Sequence, residues 1–434
     1  MNKVTHLHLR AGFGFESLNK ESNYKKVVNS LLRPTGNHIA TKVSLVDMST
    51  IKAMSKDKKK ELKKKLKLEA NQVQLDWINL MITSVNPLEE QMTLFLTNHF
   101  VVNHKRGYRA KNYNNLLRKH ALGNLKSCAK AVFKHPAMID YLHLKQNKKE
   151  SPNEDFAREL MELFTLGRDV LYTQKDIIEV ARAFTGWSYD ADENFKLNTN
   201  QHDNSAKLIF GEDGNFGGND VIDLIFSKKE CASWFSKKLC THFLSENAEQ
   251  KEKLENQLAT KLYESDYDIK ESLSLLLNSD FFWRDRSKKI KSPVQHIVGI
   301  GKHLKLTYIN HKQISRILKA LGMSLFAPPN VAGWPGGKHW IDSTRLVLRM
   351  NLGAAILNKK HVEVENTDPL DTNPEEVNTK TIKKYRIETS KINIPNISDS
   401  YEWFQESTLK KYKLPTDPLR HHLAQFSLPE YQIH

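Results

Sequence analysis

Cysteine is scarce in this 434-residue chain: three residues, Cys128, Cys231 and Cys240, none of them in a C-x-x-C pair. An odd, sparse count argues against a disulfide framework, and without paired thiols a structural zinc site is not expected. Long apolar runs are absent as well. No stretch approaches the roughly 20 residues needed to cross a bilayer as a helix. The opening residues, MNKVTHLHLRAGFGFE, contain no apolar h-region, so no secretory signal is expected and a cytoplasmic location follows by default. Familiar catalytic signatures are missing. There is no H-E-x-x-H and no G-x-S-x-G. Gly12-Phe-Gly14 is not a dinucleotide fingerprint. Gly333-Trp-Pro-Gly-Gly-Lys338 is too short for a phosphate loop and is followed by His339 rather than Ser or Thr.

Acidic residues are also thin in one part of the chain. Over residues 1–150, Lys and Arg number 28 against 11 Asp and Glu; over 151–434 the counts are 38 and 39. The whole net charge of +16 therefore sits in the first third. Such asymmetry fits an anionic partner, nucleic acid included, or a solvated lysine face. The densest run has almost no Arg and no interleaved aromatics, which favours the solvated face.

What the chain does have is mass and aromatics. At 50.1 kDa, with 19 Phe and seven Trp, it can bury a sizeable core, or two. Apolar spacing predicts a mainly α fold: one multi-helix globular domain over 1–360 with long Gly/Pro-rich loops, and a C-terminal extension over 361–434. Helices are predicted near Tyr24–Leu32, over 55–84, and from a capping box at Asn86 with Pro87 first and Glu89 closing it. The lysine-rich part of the second helix, about 55–70, reads as a solvent-facing elaboration. Further helices follow from about 112 to 185, then from 219 to 321, and a last strong one covers 343–358. Residues 188–220 read as a long loop or short hairpin. After Lys360 the pattern weakens to a linker, with YEWFQESTLKKY (401–412) as one possible docking helix.

The segment Ser151–Gly167 is the most specific. Ser151-Pro152-Asn153-Glu154 reads as a capping box, and Gly167 fits the left-handed residue after a helix end. Phe156, Leu160, Leu163 and Phe164 follow a buried stripe. Asp155, Glu159 and Glu162 lie opposite, with Arg158 beside them. Three carboxylates at helical spacing call for a cation. It can be Arg158, another Arg or Lys such as Arg182 on the antiparallel partner helix, or a divalent metal. An ion-pair network and a catalytic cleft are both open readings. His202-Asp203 can bind metal, act as an acid/base pair or simply form a turn. His99 falls on an apolar stripe, as a ligand or as a hydrogen-bonded core histidine. Trp334 and Trp340 can stack a sugar ring or anchor their loop.

Five segments together resemble the bacterial family known as domain of unknown function 1800: HLHLRAGFGF, NPLEEQMTLFLTNHF, NEDFARELMELFTLGRDVLYTQKDIIEVARAFTGW, HDNSAKLIFG and LFAPPNVAGWPGGKHWI. They span about residues 6–350 in the family's order. Leu96 stands where the family pattern has a Trp. The resemblance implies a mainly helical protein with no established activity. It also implies genes that often neighbour a sulfatase-like family, and many relatives that look exported. The resulting expectation is a polar cleft of Arg158, Glu159, Glu162, His202 and Asp203, flanked by the Trp334 loop, that acts on or binds a polyanionic or carbohydrate-type ligand. Arg182, His99 and Trp340 are expected to help hold that ligand. The alternatives are a non-catalytic partner of a sulfatase-like protein and nucleic-acid binding through the basic first third.

Overall fold

The computed structural model describes residues 2–14, 23–46, 51, 54–103, 106–168, 170–248, 250–286, 288–365, 382–395, 411–412 and 414–434. These residues are mainly helical, and their strands form three two-stranded antiparallel hairpins. Most helices begin and end within a few residues of the positions that periodicity predicts. The 28-residue Lys56–Thr83 helix starts at Ser55, whose hydroxyl accepts from the Lys58 amide. Its first three turns are exposed apart from half-buried Leu62 and buried Leu66, and Val73, Trp77, Ile78 and Met81 then bury. Lys, Glu, Leu and Ala favour helix at every one of these positions, so the helix persists where no core supports it.

Two predicted caps do not form. At Pro87–His99 the Asn86 side chain accepts nothing from the helix; its amide reaches the Arg33 carbonyl. Glu89 is taken by Thr35, whose amide donates at 3.2 Å and whose hydroxyl at 2.5 Å. The Ser151 box fails for a similar reason. Ser151 pairs as a β-bridge with Lys148, and the helix starts only at Asp155. Asn147 holds the approach instead: its Oδ1 accepts the Asn153 amide and its Nδ2 donates to Ala181. At Asn86 long-range partners outbid the local bond, and at Ser151 a backbone bridge to Lys148, beside an Asn147 tied to Ala181, does so.

Core residues form two clusters. The first surrounds Phe100, Phe133, Phe156 and Phe164, whose rings meet edge-on, tilted or stacked at 5.4–6.1 Å. The second joins the inner half of the lysine helix to the Pro293–His303 and Ser343–Leu357 helices. A buried ion pair braces the seam between the lysine helix, Pro87–His99 and Gly107–His120. Arg118 donates to both Glu90 oxygens at 2.7 and 3.0 Å, and the Trp77 indole donates to the same carboxylate at 2.8 Å.

The chain end is built into the second cluster. Residues His361–Glu365 pair with Ile382–Arg386. The Pro418–Phe426 helix lies on Ser343–Leu357, where a Cβ on Gly353 would overlap the Phe426 ring. Lys289 and His434 exchange backbone bonds at 2.9 and 3.2 Å, and the His434 carbonyl accepts from buried Arg10. The docking helix predicted at 401–412 lies outside the described residues except for Lys411 and Tyr412. No helix among the described residues is long and apolar enough to cross a membrane.

Candidate functional site

The Asp155 helix changes character after one and a half turns. From Leu160 to Thr165 it widens into a π-turn, with Leu166 and Gly167 amides both returning to the Met161 carbonyl. Gly167 then stops it at φ +92°, and a Cβ there would stand 2.9 Å from the Trp234 ring. A helix that ends this way leaves its last carbonyls without intrahelical donors. Side chains from two other helices fill the gap. The Trp234 indole donates to Leu163 O at 2.8 Å, and His99 Nε2 donates to Phe164 O at 3.0 Å. The most specific segment of the sequence is thus a bracket that holds His99 and Trp234 in place.

What it brackets is a cavity of about 310 Å³. One wall is the end of the Pro87–His99 helix, with Leu94, Phe95, Asn98 and His99. The second comes from Lys229–Phe243 and supplies Lys238, Thr241 and His242. Residues 289–295 and the loop from Ala332 to Trp340 close it. Asn98 clamps that loop: its Oδ1 accepts the Trp334 amide at 2.8 Å, and its Nδ2 donates to the Trp334 carbonyl at 3.3 Å. Only glycine fits at Gly333, where φ is +86° and a Cβ would overlap the Asn98 amide. Gly337, at φ +59°, likewise leaves no room for a Cβ beside the Glu246 carboxylate. Trp334 and Trp340 are buried against the second core cluster.

The lining of the cavity is cationic, with the Glu246 carboxylate directly behind Gly337. Lys238 and Lys289 line it, and no Asp or Glu does. Burial lowers the Lys238 ammonium from its ordinary range, helped by neighbouring Lys237, and among the described residues Lys238 rests over the Trp234 ring at 4.6 Å with no ion pair. Lys289 donates to the Thr241 and Leu244 carbonyls at 2.9 and 3.0 Å and is pushed down to about 7, first by burial and then by Arg10. Burial, then the Lys238 charge, holds His99 neutral with a pKa of about 3. Burial, then Lys289, does the same to His242. A carbonyl can only accept, so His99 carries its proton on Nε2 and presents a bare lone pair at Nδ1. That Nδ1 and the His242 Nε2 are buried without a hydrogen-bond partner.

The charged residues expected to form a cleft fall into two separate networks. Arg158 pairs with Glu154 at 2.9 Å and Glu162 at 3.5 Å, and Arg168 meets Glu162 at 3.1 Å. Asp155 receives His143 at 2.8 Å. Glu159 makes no ion pair among the described residues, and burial, then Glu162, raises its pKa. Arg182, one of the cations open to the three carboxylates, instead pairs with Glu179 at 2.6 Å and Asp203 at 2.8 Å. Asp203 also accepts the Ser205 amide, and His202 Nδ1 donates to the Thr185 carbonyl at 2.8 Å. Among the described residues no hydrogen bond or ion pair joins Glu159 or Glu162 to His202 or Asp203. Nor does any group of three His, Cys, Asp or Glu there stand ready to hold a metal ion.

Of the residues singled out in the sequence, His99, Trp334 and Trp340 line this cavity, together with Lys238, His242 and Lys289, which the sequence reading did not single out. The signal for two of them was present: Lys238 and His242 are four residues apart in a helix, polar beside the apolar Phe235 and Leu239. A larger, more open groove of about 1230 Å³ runs along Ser343–Leu357. It lies almost entirely outside the five signature segments, whereas two of those segments wall the smaller cavity and a third brackets it.

Fold and site together define a mainly α protein with a small cationic cavity under a Trp/Gly/Pro loop. The chain belongs to the family described as protein of unknown function (DUF1800), whose model matches residues 6–432. The match takes in the C-terminal helix as well as the five segments. No curated protein and no solved structure matches the chain.

Proposed function

We propose that the cavity between His99, Lys238 and the Trp334 loop is a binding site for a small anionic ligand. The observation that carries this reading is a wall with two lysines and no carboxylate, in which the Lys238 ammonium has no ion pair among the described residues. A half-buried cation of this kind gains most from an anion that reaches it. The Trp334 loop and His99 are pinned by bonds to other elements, so the site is preorganised rather than assembled on binding. In this reading the Arg158–Glu162 and Arg182–Asp203 networks are structural. They hold the bracket and the hairpins around it.

Calorimetric titration of the full chain with small carboxylates and sulfate at low ionic strength tests the proposal. Saturable binding at millimolar or tighter affinity is expected, and Lys238→Met should weaken it about tenfold. Absence of binding by every anion at low salt would refute it.

One observation favours a second, separate surface. The Lys56–Lys67 stretch is exposed over three turns and projects charge away from the core. Retention on heparin that falls steeply with salt, and is lost when these lysines become glutamines, would assign it to polyanions.

A further inference from the structure

We infer that the outer half of the Lys56–Thr83 helix is a docking stripe for an anionic lipid bilayer, held through the lipid phosphates. The inference rests on the polyanion reading of this surface and is independent of the cavity. Residues 56–67 hold eight lysines with Asp57 and Glu61, and all of these charged side chains are exposed. Their signs are not mixed around the helix. Lys56, Lys59, Lys60, Lys63, Lys64 and Lys67 recur at i, i+3, i+4, i+7, i+8 and i+11. At about 100° per residue they share one arc of about 140°. Asp57 and Glu61 fall beyond its edge, with Lys58 and Lys65. The arc is therefore a straight cationic stripe, roughly 16 Å long and free of acid.

This arrangement works against the helix that carries it. Lys60 stands four residues from both Lys56 and Lys64, and Lys63 four from both Lys59 and Lys67, so like charges repel at each step. Lys56, Lys58 and Lys59 also occupy the first turn, where the helix dipole disfavours cations. A face built only for solvation mixes both signs and gains from opposite pairs at the same spacing. Lysines gathered on one arc are relieved when dense negative charge meets them from outside. The other side chains decide which polyanion fits. Leu66 is buried and Leu62 half-buried, so the exposed turns offer no apolar group for insertion and attachment is electrostatic. No Arg, aromatic or amide side chain lies within residues 56–67, which removes base readout and base stacking. A duplex backbone also curves away from a straight stripe. A bilayer presents a plane, on which mobile headgroups gather under every lysine of the arc.

Each lysine close to such a surface strengthens binding about fivefold. Co-sedimentation of the full chain with phosphatidylcholine vesicles, with and without about one-third phosphatidylglycerol, reads the attachment. Binding to the anionic vesicles only is expected, falling steeply with salt. Replacing the six arc lysines by glutamine, itself a good helix former, should abolish it. A second variant keeps composition and net charge. Asp57→Lys, Lys60→Asp, Glu61→Lys and Lys64→Glu together put two acids on the arc and should weaken binding at least about tenfold. Binding by this variant as tight as the parent's overturns the stripe, as does binding that survives the six glutamines or extends to neutral vesicles. Heparin and random-sequence duplex DNA, tested in parallel, separate the two readings. Retention of either without attachment to anionic vesicles overturns the bilayer assignment and leaves the polyanion reading standing. Binding to none of them overturns both.

Discussion

Asn98→Ala should loosen the Trp334 loop while leaving the helical body intact. The amide of Asn98 makes two bonds to one residue: it accepts the Trp334 N–H at 2.8 Å and donates to the Trp334 carbonyl at 3.3 Å. The first has ordinary geometry and the second is long, so about 1.5 and about 0.5 kcal/mol are reasonable contributions. The sum, about 2 kcal/mol, corresponds to a roughly 30-fold rise in loop opening. Amide hydrogen exchange over residues 331–340 measures it, because that loop can open without global unfolding. Gly333→Ala attacks the same joint from the other side. A side chain at φ +86° costs about 1–2 kcal/mol. Its methyl also overlaps the Asn98 amide and lies 2.9 Å from the Asn98 carbonyl. In the Asn98→Ala background the first overlap is gone, so the double variant should be less damaged than the two singles added, by more than about 0.5 kcal/mol. Exchange within threefold of the parent in Asn98→Ala, or strict additivity of the pair, would refute the clamp.

Three further outcomes are expected. Burial holds His6 and His99 at about 3, below the ordinary 6.5, so between those values the folded state binds fewer protons than the unfolded one. The stabilisation is complete above about pH 6.5 and is lost as pH falls, at up to about 1.4 kcal/mol per pH unit for each histidine; a melting temperature that is flat from pH 6.5 to 4.5 contradicts this. Glu90→Ala strands buried Arg118 and should cost about 3–5 kcal/mol in urea unfolding, with Glu90→Leu/Arg118→Met recovering most of it. Glu159→Gln should change stability by less than about 0.5 kcal/mol at pH 7, in the stabilising direction, because the raised carboxyl has no ion pair among the described residues; a large loss would show that its charge is used.

Helix positions were legible because each rests on spacing within a dozen residues. A capping box does form at Thr173–Asp176, with the Thr173 amide donating to Asp176 at 2.7 Å. The Asn86 and Ser151 boxes have equally good patterns and fail, since Arg33, Thr35 and Lys148 claim the groups first. The open question about the three carboxylates on the signature helix also divides in this way. Arg158 answers for Glu162, as i, i+4 spacing allows. His143 answers for Asp155 from outside the helix, and Glu159 keeps no counterion among the described residues.

The sequence by itself determined the mainly helical class, the family, the exposed lysine helix and the importance of Ser151–Gly167. Those follow from composition and short-range periodicity, which are properties of neighbouring residues. Only the tertiary structure decided what that segment touches. Its π-turn directs two carbonyls at Trp234 and His99, residues 71 and 65 positions away. Lys238 and Lys289 join the same cavity from other parts of the chain. A cavity is made by what packs around it, and its charge is the sum of walls that are distant in sequence. The signature helix therefore borders the cavity without belonging to its lining.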